Sequence, residues 1–493
     1  MAISGIINTN INALYSLNGL SNTQQNISTY IEQLSTGKQI NSPADNPAGY
    51  AISQRFQTQI NGLNQAVSNG NQAISLVQTG TGAIQNQTNL LQQIRTIAVQ
   101  SANGSNTSSD RASMQTVVAQ LLAQVQTIAT QTQFNGQNIL DGTFNGQQFQ
   151  VGANANQIIN VSIGNTQTNA VGNNTLAASG SIYSTNGAYS DGGYGNGQAF
   201  TITSGSGAFT AGSVGVSGSV GSSNFSVTAN ESAASIANSI NAINQQTGVS
   251  ASANTSVAFT VTSGTVSFSL SNGNTSSPSN TVNISANVTS VDANGLSSLV
   301  SAINNDTAQT GVAASVNSSN QLVLTQSQGH NILVSGFAGT SSLSAGGTTI
   351  SSGSGAGTAL VQGVVQFQAT QGFTVSNGSA IGLANNSSLQ QLSAINVSTT
   401  QGANEAISII DQAINNLNQQ GGSLGALQNR IQASVQNLQT SSTNLQSAQS
   451  VVQDANIAQT TSNLSKYQIL QQAGISALAQ ANALQQSYLK LLP

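Results

Sequence analysis

The sequence predicts helical ends, packed together as coiled coils, around a β-rich middle. Three observations carry this. Apolar residues recur at helical spacing in roughly the first 130 and last 90 positions. Between them the pattern changes to short alternating runs separated by Gly, Ser and Asn. Charge divides the chain at the same places: no Lys or Arg occurs between Arg111 and Arg430, and Gly142 to Asn404 holds only Asp191, Glu231, Asp292 and Asp306.

The first helix is read from Ile11, Leu14, Leu17, Leu20, Ile27, Ile31 and Leu34. Turn chemistry follows, with Gly37 and the prolines of Asn41-Ser42-Pro43-Ala44-Asp45-Asn46-Pro47. A longer stripe runs Phe56, Ile60, Leu63, Val67, Ile74, Val77, Ile84, Leu91, Ile94 and Ala98, mostly in steps of three, four or seven. That is the seam of a coiled coil. A polar break over 101–110 precedes a third stripe at Met114, Val118, Leu121, Val125 and Ile128. Glycines and the alternation of Ile159, Val161 and Ile163 then predict a hairpin or two.

The C-terminal part mirrors this. Ala403, Ile407, Ile410, Ile414 and Leu417 form one stripe, Gly421-Gly422 is expected to interrupt it, and Leu424, Leu427, Ile431 and Val435 resume it. A last helix carries Ile469, Leu470, Ile475, Leu478, Leu484 and Leu489. The end helices carry apolar residues on more than one face, with Tyr15, Tyr30, Tyr467 and Tyr488 beside the stripes. About 40 residues at each end cannot bury such surface alone. Ends of this kind order by packing on neighbours, as in an assembling subunit.

The middle reads as antiparallel β, with runs such as Phe225-Ser226-Val227 and Val266 to Leu270. It holds a repeat: Ser235-Ile236, Ile240 and Thr247-Gly248-Val249 recur 63 positions on as Ser298-Leu299, Ile303 and Thr310-Gly311-Val312. Each copy predicts a short helix, a turn and strands, in modules near 226–285 and 286–345.

Composition excludes much. The 493 residues include no Cys, one His, seven Lys or Arg and eleven Asp or Glu. Charge is 4%, against about 25% in ordinary globular proteins. Disulfides, thiolate metal sites and cysteine nucleophiles are impossible. With so few Lys and Arg no strongly basic surface is possible, so nucleic acid and anionic membranes are not expected partners. His330 alone cannot make a two-histidine zinc site, and no nucleophile is marked for a triad. Asp191 offers one carboxylate to a glycine-rich loop, too few for calcium. No enzyme and no cofactor are expected. No cleavable secretory signal and no apolar run of about 18 residues are seen.

At this point the residues resemble bacterial flagellin. Met1-Ala2-Ile3 with Ile7-Asn8-Thr9-Asn10, Leu34 to Ser42 and Asp45-Asn46-Pro47-Ala48-Gly49 are similar to the family's N-terminal region. So are Gln131-Thr132-Gln133-Phe134-Asn135-Gly136 and Gln150 to Asn154. Gly425 to Arg430, Asp454-Ala455 and Gln468 to Gly474 resemble its C-terminal region. The Thr-Gly-Val repeat resembles an insert motif of some flagellins.

The resemblance implies a multidomain subunit of a hollow helical filament used for motility. Residues 1–44 and 455–493 would form the inner core, 45–178 and 401–454 a coiled-coil shell with hairpins, and 179–400 the outer region. It implies unfolded type III export, an export chaperone on about Gln453 to Pro493, cap and hook-associated partners, and an extracellular location. Expected interface residues are Ile11, Leu14, Leu20, Ile27, Ile31, Leu34, Ile469, Leu470, Ile475, Leu478, Leu484 and Leu489. A hook–filament junction protein and a secreted β-rich adhesin stay as alternatives.

A patch that an animal Toll-like receptor senses in many flagellins maps to Gln92 through Val99. Here Gln93 replaces a family arginine, Thr96 a glutamate, and Val117 an acid on the facing helix, while Arg95 and Ile97 keep the type. Receptor activation is expected to be weak.

Overall fold

The computed structural model describes residues 9–177, 182–184, 189–191, 200–202, 209–228, 231–273, 280–345, 348–351, 359–383 and 385–489. The N-terminal part is α1 (Ile11–Thr36), α2 (Pro47–Ala102) and α3 (Ser108–Gln131). Two hairpins follow: β1 (Gln133–Phe134) with β2 (Gln137–Asn138), and β3 (Gln147–Gln150) with β4 (Ile158–Val161). The middle begins with β5 (Gly172–Ala177), β6 (Ile182–Ser184), β7 (Tyr189–Asp191) and β8 (Phe200–Ile202). Next come β9 (Gly212–Ser217), β10 (Ser222–Val227), α4 (Ala233–Ala242), α5 (Asn244–Thr247), β11 (Val249–Val261), β12 (Gly264–Ser271) and β13 (Val282–Val288). The second repeat supplies α6 (Ser297–Asn305), α7 (Thr307–Thr310), β14 (Val312–Val316) and β15 (Leu322–Gln326). The chain continues through β16 (Ile332–Gly339), β17 (Ser342–Ala345), β18 (Thr348–Ser351), β19 (Ala359–Val361), β20 (Val364–Ala369), β21 (Thr374–Ser376) and β22 (Ser388–Gln391). It ends in α8 (Thr400–Gln453) and α9 (Ile457–Leu489).

Two compact units divide these elements. One comprises 1–78, 146–162 and 425–493, the other 79–145 and 163–424, so α2 and α8 each contribute to both.

In the first unit, α2 buries Ile60, Leu63, Ala66, Ala73 and Val77, and α8 buries Ile431 and Val435. The steps of three and four are those of a coiled coil. Small residues set the helix spacing. A Cβ added to Gly70 would lie 2.5 Å from Val435 Cγ2. The hairpin β3–β4 is fixed to α2 by Asn69 Nδ2 donating to the Gln150 carbonyl (3.0 Å). The expected stripe is thus corrected: Val67 and Ile74 are only half-buried, and Ala66, Gly70 and Ala73 occupy the seam. A hydrophobicity count favours large side chains, but close helix approach selects small ones.

In the second unit the seam of α2 continues through Ile84, Leu91, Ile94 and Ala98 and includes Gln87, whose Nε2 donates to the Val125 carbonyl of α3 (3.1 Å). Arg111 closes the turn after α2, donating to the carbonyls of Ser101, Asn103 and Asn106. A capping box of Thr107 and Asp110 starts α3. Gly421-Gly422 does not interrupt α8, which is continuous. A glycine costs a helix about 1 kcal/mol. Burial of Leu417 and Leu424 on either side offsets that.

The β-rich part of this unit forms an eight-stranded sheet, β14-β15-β11-β20-β5-β22 with β17 and β18 attached, and a five-stranded sheet, β13-β12-β16-β19-β6. A third, β10-β9-β21, has three strands. The repeats form the predicted helix–turn–strand units, with Gly248 and Gly311 in the left-handed region (φ 75° and 70°). They are not strung in series. β11 pairs with β20 over residues 249–254 and with β15 over 255–259, so one strand runs through both cores. One core gathers Ile236, Ile240, Val249 and Phe367, the other Phe268, Leu299, Ile303, Leu324 and Phe337.

Each repeat is latched by an asparagine. Asn304 Nδ2 donates to the Ala314 carbonyl (2.9 Å), and its Oδ1 accepts from Ala314 N–H (2.7 Å). Asn241 and Ala251 repeat this pair at 2.9 and 2.8 Å. Each amide supplies the two bonds a missing neighbouring strand would have made. Replacing Asn304 or Asn241 with Ala should cost about 1–3 kcal/mol, because a buried donor and acceptor are left unpaired. Urea unfolding of the full chain checks this; unchanged midpoints for both variants would show the latch to be dispensable.

Candidate functional site

α1 and α9 form an antiparallel pair within the first unit. Asn10 caps α1 by accepting from Ala13 N–H (2.9 Å) and donates to the Ala481 carbonyl near the end of α9 (3.1 Å). Gln471 donates to Gln24, and the Tyr30 and Tyr467 rings stack at 5.5 Å. The faces turned toward each other mix small and polar residues with a few larger ones, Leu20, Ile27 and the two tyrosines. Ala13 and Ile27 are buried on α1, and Thr460 on α9. Gly474 meets Leu20 across the pair.

The large apolar side chains point elsewhere. Ile11, Leu14, Tyr15, Leu17, Ile31 and Leu34 are exposed on α1, and Ile457, Ile469, Leu470, Ile475 and Leu484 on α9. Leu14 is 56% exposed and Ile469 67%, values far from those of core residues. Of the twelve expected interface residues, Ile27 is taken into the intramolecular pair, and Leu20 and Leu478 are half-buried. The side chain of Leu489 lies outside the described residues, as do Met1 to Asn8.

A clasp joins the two connectors that lead into this pair. Lys38 and Asp454 form an isolated antiparallel bridge. Gln39 N–H donates to the Gln453 carbonyl (2.7 Å), and Ala455 N–H to the Gly37 carbonyl (2.9 Å). Gly37 has φ 70°, which lets α1 end and the chain turn at once. Ile40 is buried, and a Cβ on Gly49 would lie 2.5 Å from its Cδ1. Asp45 accepts from the backbone of Ser42 and Asn41, which holds its carboxyl below the usual range. The sequence signalled the turn but not the clasp, which joins residues over 400 positions apart.

In the second unit Gln93, Arg95 and Thr96 are exposed and Ile97 half-buried. Arg95 Nε donates to Asp411 Oδ1 (2.6 Å) and Nη2 to Oδ2 (3.3 Å), which raises the guanidinium pKa. This is the one ion pair among the described residues. His330 lies in a turn, its N–H donating to Gln326 Oε1 (2.9 Å). The described residues contain no group of three His, Asp or Glu able to hold a metal, and none of their helices is long and apolar enough to cross a membrane.

Residues 7–145 match the family described as bacterial flagellin N-terminal helical region, and 407–492 its C-terminal helical region. Residues 199–265 and 267–328 each match the flagellin hook IN motif. The chain is 34% identical to a B-type flagellin of Pseudomonas aeruginosa over 507 aligned positions, covering 99% of both chains. The chain belongs to the flagellin family. It is also 30% identical to flagellin B of Vibrio cholerae, covering 100% of each. The solved structure of FliC from Burkholderia pseudomallei aligns with 73% of this chain and 99% of that one at 21% identity, with a TM-score of 0.30. As a flagellin, the chain is a structural subunit of the flagellar filament. The two copies of the IN motif fall on the two modules latched by Asn241 and Asn304. The signal missed in the sequence was that an Asn follows the repeated Ile in both.

Few groups in this flagellin titrate. Asp110 and Asp141 are held low by the hydroxyls of Thr107 and Thr143, and Asp292 by Gly295 N–H. With Asp45, these four carboxyls have depressed pKa values in the folded state. Their contribution is complete above the ordinary carboxylate pKa of about 4 and is lost only as pH falls through the lower folded values. Melting curves should therefore be flat from pH 7 to about 4 and decline below it. A steep loss between pH 7 and 5 would contradict this.

Proposed function

We propose that this flagellin polymerises by burying the outward faces of α1 and α9 against other copies. One observation carries the reading: among its described residues the pair fully buries only Ala13, Ile27 and Thr460, and it leaves most of its large apolar side chains in solvent. Contiguous apolar surface of this kind marks an interaction site. In the filament, 1–44 and 455–493 form the inner core, 45–178 and 401–454 the surrounding shell, and 179–400 the outer region. Export is unfolded, by a type III route, to the extracellular tip under a cap protein. A chaperone holds about 453–493 beforehand, when those apolar residues have no other cover. Hook-associated proteins bound the filament, and the role is structural, with no catalysis. Similarity to flagellins along the full chain favours a filament subunit over a junction protein or adhesin.

Leu14→Ser combined with Ile475→Ser should raise the critical concentration for assembly at least tenfold. Each buried aliphatic side chain of this size contributes about 1.5–3 kcal/mol. Helix content of the remaining chain should be kept. Sedimentation of polymer from monomer checks this, and normal assembly of the double variant would overturn the assignment.

Receptor activation is weak in this reading, since Gln93, Thr96 and Val117 lack the charges that the resemblance leads one to expect. Arg95 is also already paired to Asp411. Gln93→Arg with Thr96→Glu should raise activation of receptor-expressing cells several-fold; full potency of the natural chain would refute the reading.

A further inference from the structure

An Asn-Gly pair is chemically fragile, because a glycine nitrogen without a neighbouring Cβ can approach the asparagine side chain closely. Several such pairs in this flagellin are protected. Those at Asn18, Asn61 and Asn69 lie inside α1 and α2, where helical bonding holds the backbone. Gly146 N–H donates to Ser162 Oγ (2.9 Å) and Gly295 N–H to Asp292 Oδ1 (2.7 Å), which occupies each nitrogen. Asn135 and Asn377 are set in left-handed backbone (φ 51° and 55°), and the amide of Asn377 is tied to the Ser213 carbonyl.

Asn103-Gly104, in the turn from α2 to α3, has none of this protection. Asn103, Gly104 and Ser105 are exposed, and among the described residues the Gly104 N–H meets no acceptor. The turn instead aligns and polarises both reacting groups. Asn103 Oδ1 accepts from the Ser105 N–H (3.2 Å). That bond closes a ring containing both Asn103 Cγ and the Gly104 nitrogen, which keeps the two together. It also draws electrons from the side-chain carbonyl and faces the oxygen on which attack would place charge.

Arg111 prepares the other half. Its Nη2 donates to the main-chain carbonyl of Asn103 (2.9 Å), which also accepts from the Asn106 N–H (3.3 Å). That carbonyl and the Gly104 N–H belong to one peptide group. A cation on the oxygen favours the deprotonated form of the nitrogen.

We propose that Asn103 is a self-modification site, converted by its own turn to an acidic residue. The Gly104 nitrogen gives its proton to solvent and bonds to Asn103 Cγ. The Cγ–Nδ2 bond breaks, Nδ2 takes up a proton, and ammonia leaves. Water then opens the cyclic imide at either carbonyl. One opening gives an aspartyl residue at position 103 and the other an isoaspartyl residue. Both place a carboxylate beside Arg111. The isoaspartyl form also inserts a side-chain carbon into the main chain, which disturbs the set of carbonyls from Ser101, Asn103 and Asn106 that Arg111 holds. In a chain with only 18 charged residues, seven basic and eleven acidic, one more is a large change.

The test ages the full folded chain in warm, mildly alkaline buffer. Trypsin added after denaturation releases residues 96–111 as one peptide, because Arg95 and Arg111 bracket the site. Fragmentation of that peptide separates Asn103 from Asn106. The mass gain of an amide-to-acid change should accumulate at Asn103 several-fold faster than at Asn135 or Asn145, read on chymotryptic peptides. Part of the product should accept a methyl group from an isoaspartyl-specific methyltransferase. Gly104→Ala should suppress the gain and keep the fold, since a Cβ there meets no atom within 4 Å. Arg111→Lys retains the tryptic peptide but loses the fork that grips the carbonyls. It should slow conversion several-fold, whereas loosening of a turn that only shielded Asn103 would speed it. Equal rates at Asn103 and Asn135, full conversion in Gly104→Ala, or conversion unchanged or faster in Arg111→Lys would overturn the proposal.

Discussion

Amide side chains bonded to backbone are the interaction on which this flagellin depends. With 4% charge, ion pairs cannot organise it, and the single pair among the described residues is exposed. Exposed pairs of that kind contribute little. Amides do the work at each joint. Gln115 Oε1 accepts from Val397 N–H, Gln126 Oε1 from Thr168 N–H, and Gln326 Oε1 from two turn residues. Asn241 and Asn304 stand in for whole strand partners. An amide both donates and accepts, so it can match a peptide group as a charge cannot.

The helices show the complementary economy. The α2–α8 seam is close because glycine and alanine line it, while the α1–α9 seam buries few side chains and leaves most of the larger apolar ones outside. The first arrangement favours a stable monomer. The second leaves large apolar side chains in water, which is unfavourable. The clasp of Lys38 and Asp454 ties this pair to α2 and α8 through backbone bonds, without salt-sensitive chemistry.

Much of this was legible in sequence. Periodicity located α1, α2, α3, α8 and α9, and alternation found β10 and β12, because burial of one face sets those patterns directly. The repeat predicted both modules and their Thr-Gly turns. Less visible were features decided by distant partners. Gly421-Gly422 looked like a break because local propensity is all that a sequence displays. Gly70 and Gln87 looked unremarkable because their seam partners are far along the chain. In the α1–α9 pair the apolar residues were visible in sequence but their facing was not, and the packing of α9 decides that Ile27 turns inward while Ile31 does not.

The shared strand has a mechanical meaning. The 13 residues of β11 bond to β20 at one end and to β15 at the other. A pull along this strand loads its rungs together in shear, whereas two beads on a tether would peel open one rung at a time. A β-rich middle region built on such a beam resists drag as a single stiff body, and torque passing through a turning filament meets no soft hinge between the two modules.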